Sequence, residues 1–414
     1  MTVQHFETRF ANPWLAAATV FCISVVAALA FRGLLPAPFR LAEFSDYTNH
    51  YEPVARNILA GRGITTNNGA IATFYGPGFP VILSGLFAAA GRLHTSEDAV
   101  LLGLMLACNG LTAVFIFLMA RSLWPPFASL TVAVLWITYP FNLWFMQHPA
   151  SEHPFMVLLS GTLYLFWLSR VRGWGRACLV VCGILFGLAA LIRPIGIGLG
   201  AIAGLLLLFG WRERGALARV ISALCVTLAF AAVVLPWIVS VHGATGQWIP
   251  IASSGHQVAL SGLTYAFTNG FHVDTVPPEI LSLQSRILAN KPTSFIEIGA
   301  VLFAEFRRDP PMVGAFLLLK AARSWYGTFS GQFETVAIIV QIPYLALCLL
   351  SLINARRLPE RARWMLAAHW LLIAYFWAMS TLVDSNLRYM APVTGLVMIF
   401  IPVLVPAMRM SVAD

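Results

Sequence analysis

Apolar runs of bilayer length recur along the chain and are separated by short polar turns. They fall at residues 14–31, 98–120, 127–145, 153–169, 177–192, 194–210, 220–240, 334–353, 364–382 and 390–408. A hydrocarbon core takes about 20 helical residues to cross, so the pattern predicts an all-α polytopic membrane protein of about ten transmembrane helices. Two segments break the rhythm, 32–97 and 241–333. Within them Phe79 to Ala90 and Pro311 to Tyr326 are apolar but short for a span, and the second carries Lys320 and Arg323. Both predict amphipathic helices lying along the interface.

The arginines orient this bundle. With a cytoplasmic N-terminus, the short inner segments hold Arg121, then Arg170, Arg172 and Arg176, then Arg212, Arg214 and Arg219, then Arg356, Arg357, Arg361 and Arg363, and finally Arg409. Short outer turns keep Arg193 and Arg388, so the positive-inside rule selects this orientation, with the C-terminus also cytoplasmic. Residues 32–97 and 241–333 then become two long extracytoplasmic loops of one membrane domain, 1–414. Most carboxylates, including Glu43, Asp46, Glu52, Glu97, Glu152, Glu334 and Asp384, fall on that outer side or at its interface. The first run ends Ala28-Leu29-Ala30, as a signal-peptidase site does, but it is longer than a signal peptide's apolar core and predicts an uncleaved helix.

Composition agrees with lipid as the missing solvent: of 414 residues, 59% are hydrophobic and only 10% charged. The formal net charge of +9 is spread among the turns and forms no basic stripe, so no nucleic-acid partner is expected. All six cysteines lie in apolar segments and read as packed thiols.

Candidate chemistry gathers on the outer side. In the first loop, Tyr47, Tyr51, Val54, Ile58 and Leu59 recur at helical spacing, predicting an amphipathic helix with Ser45 as N-cap and Gly61 as stop. Asp46, Asn49 and His50 share its polar face, a carboxylate beside an imidazole above the membrane. Asp46 also reads simply as a complement to the helix dipole. Tyr75-Gly76-Pro77-Gly78-Phe79-Pro80 is a rigid turn that shapes the site without supplying chemistry. In the next outer turn, Glu152 stands at the mouth of a span, where a carboxylate is either functional or, with Ser151, a helix cap. His148 and His153 flank it, but the spacing is not His-Glu-x-x-His and does not favour metal. Arg193 and Arg388, the latter followed by Tyr389, defy the positive-inside pattern. They suit a phosphate partner through the planar guanidinium fork, or lipid headgroups by snorkelling. The second loop adds Ser253-Ser254-Gly255-His256, polar turns that suit sugar hydroxyls and any exposed loop alike.

In this order and topology, the residues resemble the GT-C superfamily of lipid-dependent glycosyltransferases, in particular the bacterial branch with protein O-mannosyltransferases and aminoarabinose transferases. The resemblance runs nearly end to end. It rests on Asp46, Tyr51, Ala55, Ile58, Leu59, Gly61 and Gly63, then Gly76 to Pro80, Ser151 to Phe155, Leu191-Ile192-Arg193-Pro194, Leu235-Pro236-Trp237, and Arg388-Tyr389 with Pro392. It implies a sugar carried on a polyprenyl phosphate, presented from the bilayer of a bacterial inner membrane and transferred with inversion to an extracytoplasmic acceptor, whether envelope glycan, lipid or protein. Asp46 would be the general base, and Glu152 the second acidic position, orienting acceptor or metal. Arg193, Arg388, Lys320 and Arg323 would hold the donor phosphate. Glu43, Tyr47, His50, Tyr75, His148, His153, Ser254, His256 and Tyr389 would line the substrate cavity. Such chemistry needs a carboxylate near the incoming nucleophile and positive charge near the departing phosphate.

The chain departs from the family pattern in three places. Asp46 lacks the neighbouring acid many relatives carry, which leaves Glu43 or Glu52 as nearest helpers and makes a tight Mg or Mn site at Asp46 and Glu152 an open question. Leu-Pro-Trp is followed by Ile238-Val239-Ser240 where relatives often have a basic residue, and no large soluble domain is expected after the last span. A transporter or flippase is the alternative, but internal repeats and mid-membrane charges are not found. A non-catalytic GT-C-like scaffold is a third reading.

Overall fold

The computed structural model describes residues 12–40, 45–173, 175–210, 214–268, 277–328, 331, 333–358 and 360–405. In chain order its helices are α1 (Pro13–Leu34), a π-helical turn (Tyr47–Tyr51) leading into α2 (Glu52–Leu59), α3 (Gly78–Leu93), α4 (Glu97–Arg121), α5 (Pro126–Ile137) and α6 (Pro140–Phe145). There follow α7 (Glu152–Val171), α8 (Arg176–Ile192), α9 (Leu199–Gly210), α10 (Ala216–Thr245), α11 (Gly255–Thr268) and α12 (Pro278–Ala289). The last are α13 (Phe295–Arg308), α14 (Pro310–Arg323), α15 (Glu334–Ile353), α16 (Glu360–Leu382) and α17 (Leu387–Met398). Among the described residues β pairing is limited to one antiparallel bridge, Thr65 to Ile71.

Among the described residues six helices, α1, α4, α7, α10, α15 and α16, are long and apolar enough to cross a membrane, and the chain is an integral membrane protein. They coincide with six of the expected spans. The runs at 177–192 and 194–210 form shorter apolar helices, as do α3 and α5. The run at 127–145 is not one helix. Pro140 cannot donate a backbone hydrogen bond and pushes Tyr139 to an extended conformation (φ −68°, ψ 113°), so α5 ends and α6 begins anew. The last run is helical only to Met398 and continues as a 3-10 turn, Ile401–Leu404. Elsewhere the ends follow local chemistry. Ser96 caps α4 by accepting the Ala99 amide at 3.2 Å, with Glu97 and Asp98 in the first turn complementing its dipole.

The chain divides into two compact units. The first comprises residues 1–252, 351–369 and 395–414. Polar side chains join its helices where lipid offers no hydrogen bonds: the Asn109 amide of α4 donates to Ser24 of α1 at 2.9 Å, and its oxygen accepts from Asn142 of α6, all three fully buried. Two arginines counted as topological markers also cap α9. Arg170 donates to the Gly210 carbonyl at 2.8 Å while lying over the Trp364 ring at 4.1 Å, and Arg219 donates to the Leu208 carbonyl at 2.9 Å.

The second unit comprises residues 253–350 and 370–394. Its core draws Ala259 and Leu263 from α11, Ile280, Leu283 and Ile287 from α12, Ile298 from α13, and Val313 and Phe316 from α14. The spacings of three, four and seven residues mark one buried stripe per helix. The opposite faces of α13 and α14 stay apolar, with Ile296 and Leu318 exposed.

Candidate active site

Ser45 and Asp46 are already helical, so Ser45 is not the N-cap; Glu43 lies outside the described residues. From Tyr47 to Tyr51 the backbone widens into a π turn, in which the Glu52 amide bonds back to the Tyr47 carbonyl. Pro53 explains it: its ring would strike the carbonyl four residues earlier, and one wide turn relieves the clash without ending the helix. Gly61, at φ +75°, then stops α2 as expected.

The wide turn brings Asp46 to Tyr75, whose hydroxyl donates to the Asp46 Oδ1 at 2.8 Å. Tyr75 therefore supplies a hydrogen bond to the candidate base, where the sequence suggested only a shaping role. Aromatic packing fixes it there. Tyr51 lies 4.9 Å from the Tyr75 ring, and His50 stacks on Phe74 at 4.3 Å with its plane edge-on to Tyr75. Together with Asn67 and Pro80 these rings line a cavity. Burial lowers the His50 pKa, with Asp46 opposing, so the imidazole is neutral at pH 7. Burial, with Glu52 and Glu97 adding to it, raises that of the Tyr47 phenol. Glu52 pairs with Arg56 at 2.7 Å, and Arg56 also pairs with Glu97 at 2.8 Å.

Tyr51 also faces α7, its hydroxyl 3.4 Å from the Ser151 hydroxyl. The next residue, Glu152, pairs with Arg193, and both are buried. Two anomalies of the sequence thus account for each other: the carboxylate at a span's mouth and the arginine that breaks the charge pattern form one buried ion pair. The turn Gly76-Pro77-Gly78 lies directly against Leu191 and Ile192, where a Cβ at position 76 would stand 2.4 Å from the Leu191 carbonyl. Trp237, from within α10, donates to the Ile251 carbonyl at 2.9 Å, and Ile251 packs on the same turn. The separate motifs of the first unit are therefore one contact network.

In the second unit Lys320 and Arg323 are buried on α14. Arg323 pairs with Glu334 and donates to the Thr328 carbonyl at 2.9 Å. Arg388 and Tyr389 open α17, both half-buried, and the Arg388 amide bonds to the Asn386 side chain at 3.0 Å. Ser254 is buried, and its carbonyl accepts the Val258 amide at 2.9 Å; His256 sits half-buried on the first turn of α11.

His153 is fully buried in α7, whereas His148 is half-buried and edge-on to Trp144. Among the described residues no group of three or more His, Cys, Asp or Glu could hold a metal ion. Glu152 is paired with a buried guanidinium, and the Asp46 carboxylate accepts a phenol hydrogen bond. Tyr51, Phe74 and Asn67 were not among the expected cavity residues. Helical spacing put Tyr51 on an apolar face, and nothing local distinguishes the other two from ordinary loop residues.

The structure superposes on the archaeal oligosaccharyltransferase AglB from Archaeoglobus fulgidus, in complex with an inhibitory peptide and a dolichol-phosphate. The TM-score is 0.57 at 15% sequence identity, over 95% of this chain and 50% of that one. The likeness is one of fold: this chain shares the fold of that part of the archaeal oligosaccharyltransferase. A second structure of the archaeal enzyme, with Zn and sulfate, matches at a TM-score of 0.54 and 16% identity, over 93% of this chain and 49% of that one. ArnT from Cupriavidus metallidurans bound to undecaprenyl phosphate gives 0.47 and 14%, over 95% and 78%. The chain spans about half the length of the archaeal enzyme it matches. No protein-family model matches the sequence, and no curated protein does.

Proposed function

We propose that this chain is an inverting glycosyltransferase that moves a sugar from a polyprenyl-phosphate donor to an acceptor hydroxyl on the extracytoplasmic side of a bacterial inner membrane. The observation that carries the reading is Asp46: a half-buried carboxylate oriented by the Tyr75 phenol and set beside a cavity walled by aromatic rings. The GT-C fold supports it, and so does the arginine topology.

In this reading Asp46 takes the acceptor's hydroxyl proton as the acceptor oxygen bonds to the anomeric carbon. The bond from that carbon to the phosphate oxygen breaks, and the polyprenyl phosphate leaves with the electron pair. Tyr75 holds the carboxylate in place, and the neutral His50 lets acceptor hydroxyls approach without a competing cation. Arg388 holds the donor phosphate through its planar fork. The Glu152–Arg193 pair fixes the mouth of α7 beside Tyr51 and takes no proton.

The test is Asp46→Asn in purified protein reconstituted in lipid and supplied with polyprenyl-phosphate sugars. Transfer is expected to fall to background while elution and thermal unfolding stay those of the wild type. Wild-type transfer by this variant would refute the assignment. Mass spectrometry of envelope glycans from a deletion strain identifies the sugar and the acceptor.

A further inference from the structure

The turn between α16 and α17 is held by donors from α14 and α16. Three successive carbonyls face donors: Lys320 Nζ lies 3.5 Å from the Val383 oxygen, the Ser380 hydroxyl donates to the Asp384 oxygen at 3.0 Å, and Arg323 donates to the Ser385 oxygen at 3.4 Å. The turn closes on itself through the Asn386 amide, 2.9 Å from the Asp384 oxygen, and the Leu387 amide bonds to the Gly327 carbonyl at 2.9 Å. Two glycines let neighbouring backbone approach. A Cβ at Gly262 would stand 1.9 Å from the Val383 oxygen, and one at Gly327 would stand 2.4 Å from that of Ser385.

Directly after this turn come Arg388 and Tyr389, with the Arg388 and Tyr389 amides both bonded to Asn386. The charges behind the grip are balanced within the unit. Arg323 pairs with Glu334, which also accepts the Thr328 amide at 3.0 Å. Burial pushes Lys320 down to about 8, with Asp384 opposing and Arg323 adding to the fall. Burial raises Asp384, against Lys320, Arg323 and Arg388. Lys320 is fully buried and Arg323 4% exposed. Buried cations engaged with a turn's carbonyls hold that turn; a phosphate reaching them would have to displace those bonds and desolvate again.

We propose that Lys320 and Arg323 are positioning residues that clamp the 383–386 turn and so aim Arg388 at the donor phosphate, acting through Arg388 and not as phosphate ligands themselves. The inference rests on the assignment of Arg388 to the donor phosphate. It separates α14, which holds the turn, from α17, which contacts the lipid. Gly262 belongs to the same device, since it sets how closely α11 approaches the turn.

A double-mutant cycle on the full chain in lipid nanodiscs tests it, with undecaprenyl phosphate as the binding probe and no turnover required. Arg388→Ala is expected to weaken binding about 10- to 100-fold, the range for a charged hydrogen bond. Lys320→Met is expected to weaken it about tenfold in the wild-type background and less than about twofold once Arg388 is Ala, because its effect runs through that side chain. Lys320→Arg should recover most of the affinity. Gly262→Ala, which changes no charge, should behave like Lys320→Met and answers the same question if that variant does not fold. Additive losses, or a Gly262→Ala protein with wild-type affinity, would overturn the clamp and leave Arg388 as a ligand. Unchanged binding by Arg388→Ala would remove the donor-phosphate assignment itself, and the clamp with it.

Discussion

Replacing Glu152 by Gln leaves the Arg193 guanidinium without its counter-charge in a place water barely reaches. The two side chains are 1% and 7% exposed. An exposed ion pair contributes about 0–1 kcal/mol, because solvent replaces a missing partner, whereas removing one member of a buried pair costs about 3–5 kcal/mol. Here the second figure applies, a loss of about a hundred- to a few-thousand-fold in the folded-to-unfolded ratio. Arg193→Met should cost a similar amount, since it strands the carboxylate. The double variant should be far less damaged than the sum, with a coupling of about 3 kcal/mol, because two neutral side chains of similar volume remove both the attraction and the desolvation cost. Unfolding of the purified proteins in detergent, followed by tryptophan fluorescence, measures all four corners of the cycle. Additive destabilisation would show that the pair is not a closed unit, and a neutral Glu152→Gln would show that Arg193 finds its partner elsewhere.

Tyr75→Phe keeps the ring that packs on Tyr51 and His50 but removes the hydroxyl from Asp46. The loss of a hydrogen bond to a charged group, about 1.5–3 kcal/mol, predicts transfer slowed about 10- to 100-fold with an unchanged unfolding midpoint; undiminished transfer would reduce Tyr75 to a space-filler. His50 gives a pH signature. Its folded pKa lies below the unfolded value of about 6.5, so stability is complete above that pH and declines as pH falls from there through the folded pKa. His50→Gln should flatten that part of the unfolding profile relative to the wild type, and superimposable profiles would contradict the burial argument. Arg56→Ala, by contrast, breaks two ion pairs whose side chains are 26% to 47% exposed, and should change stability by less than about 1 kcal/mol in a denaturant titration.

Periodicity carried the membrane class and the six long spans because lipid imposes length and apolarity on any spanning helix. Pro140 shows where such reasoning stops: average hydropathy is blind to one missing amide and reads the run that this proline interrupts as a single span. At the site, single residues were legible and pairings were not. Glu152 and Arg193 each looked anomalous, yet they are 41 positions apart, and only the packing of α7 on α8 reveals that each explains the other. Tyr75 was placed in the cavity, but its bond to Asp46 depends on the wide turn at Tyr47–Tyr51, whose cause, Pro53, lies on the far side of that turn.

The wide turn amounts to one surplus residue in an otherwise helical stretch, and each residue of an α-helix advances the face by about 100°. Deleting a single position between Tyr47 and Tyr51 would regularise the backbone yet swing Asp46 about a quarter-revolution from the Tyr75 phenol. Homologous chains aligned without a gap at this point should therefore retain a proline at the equivalent of position 53. Those that have lost the proline should have shed a residue upstream or moved their acid by one place.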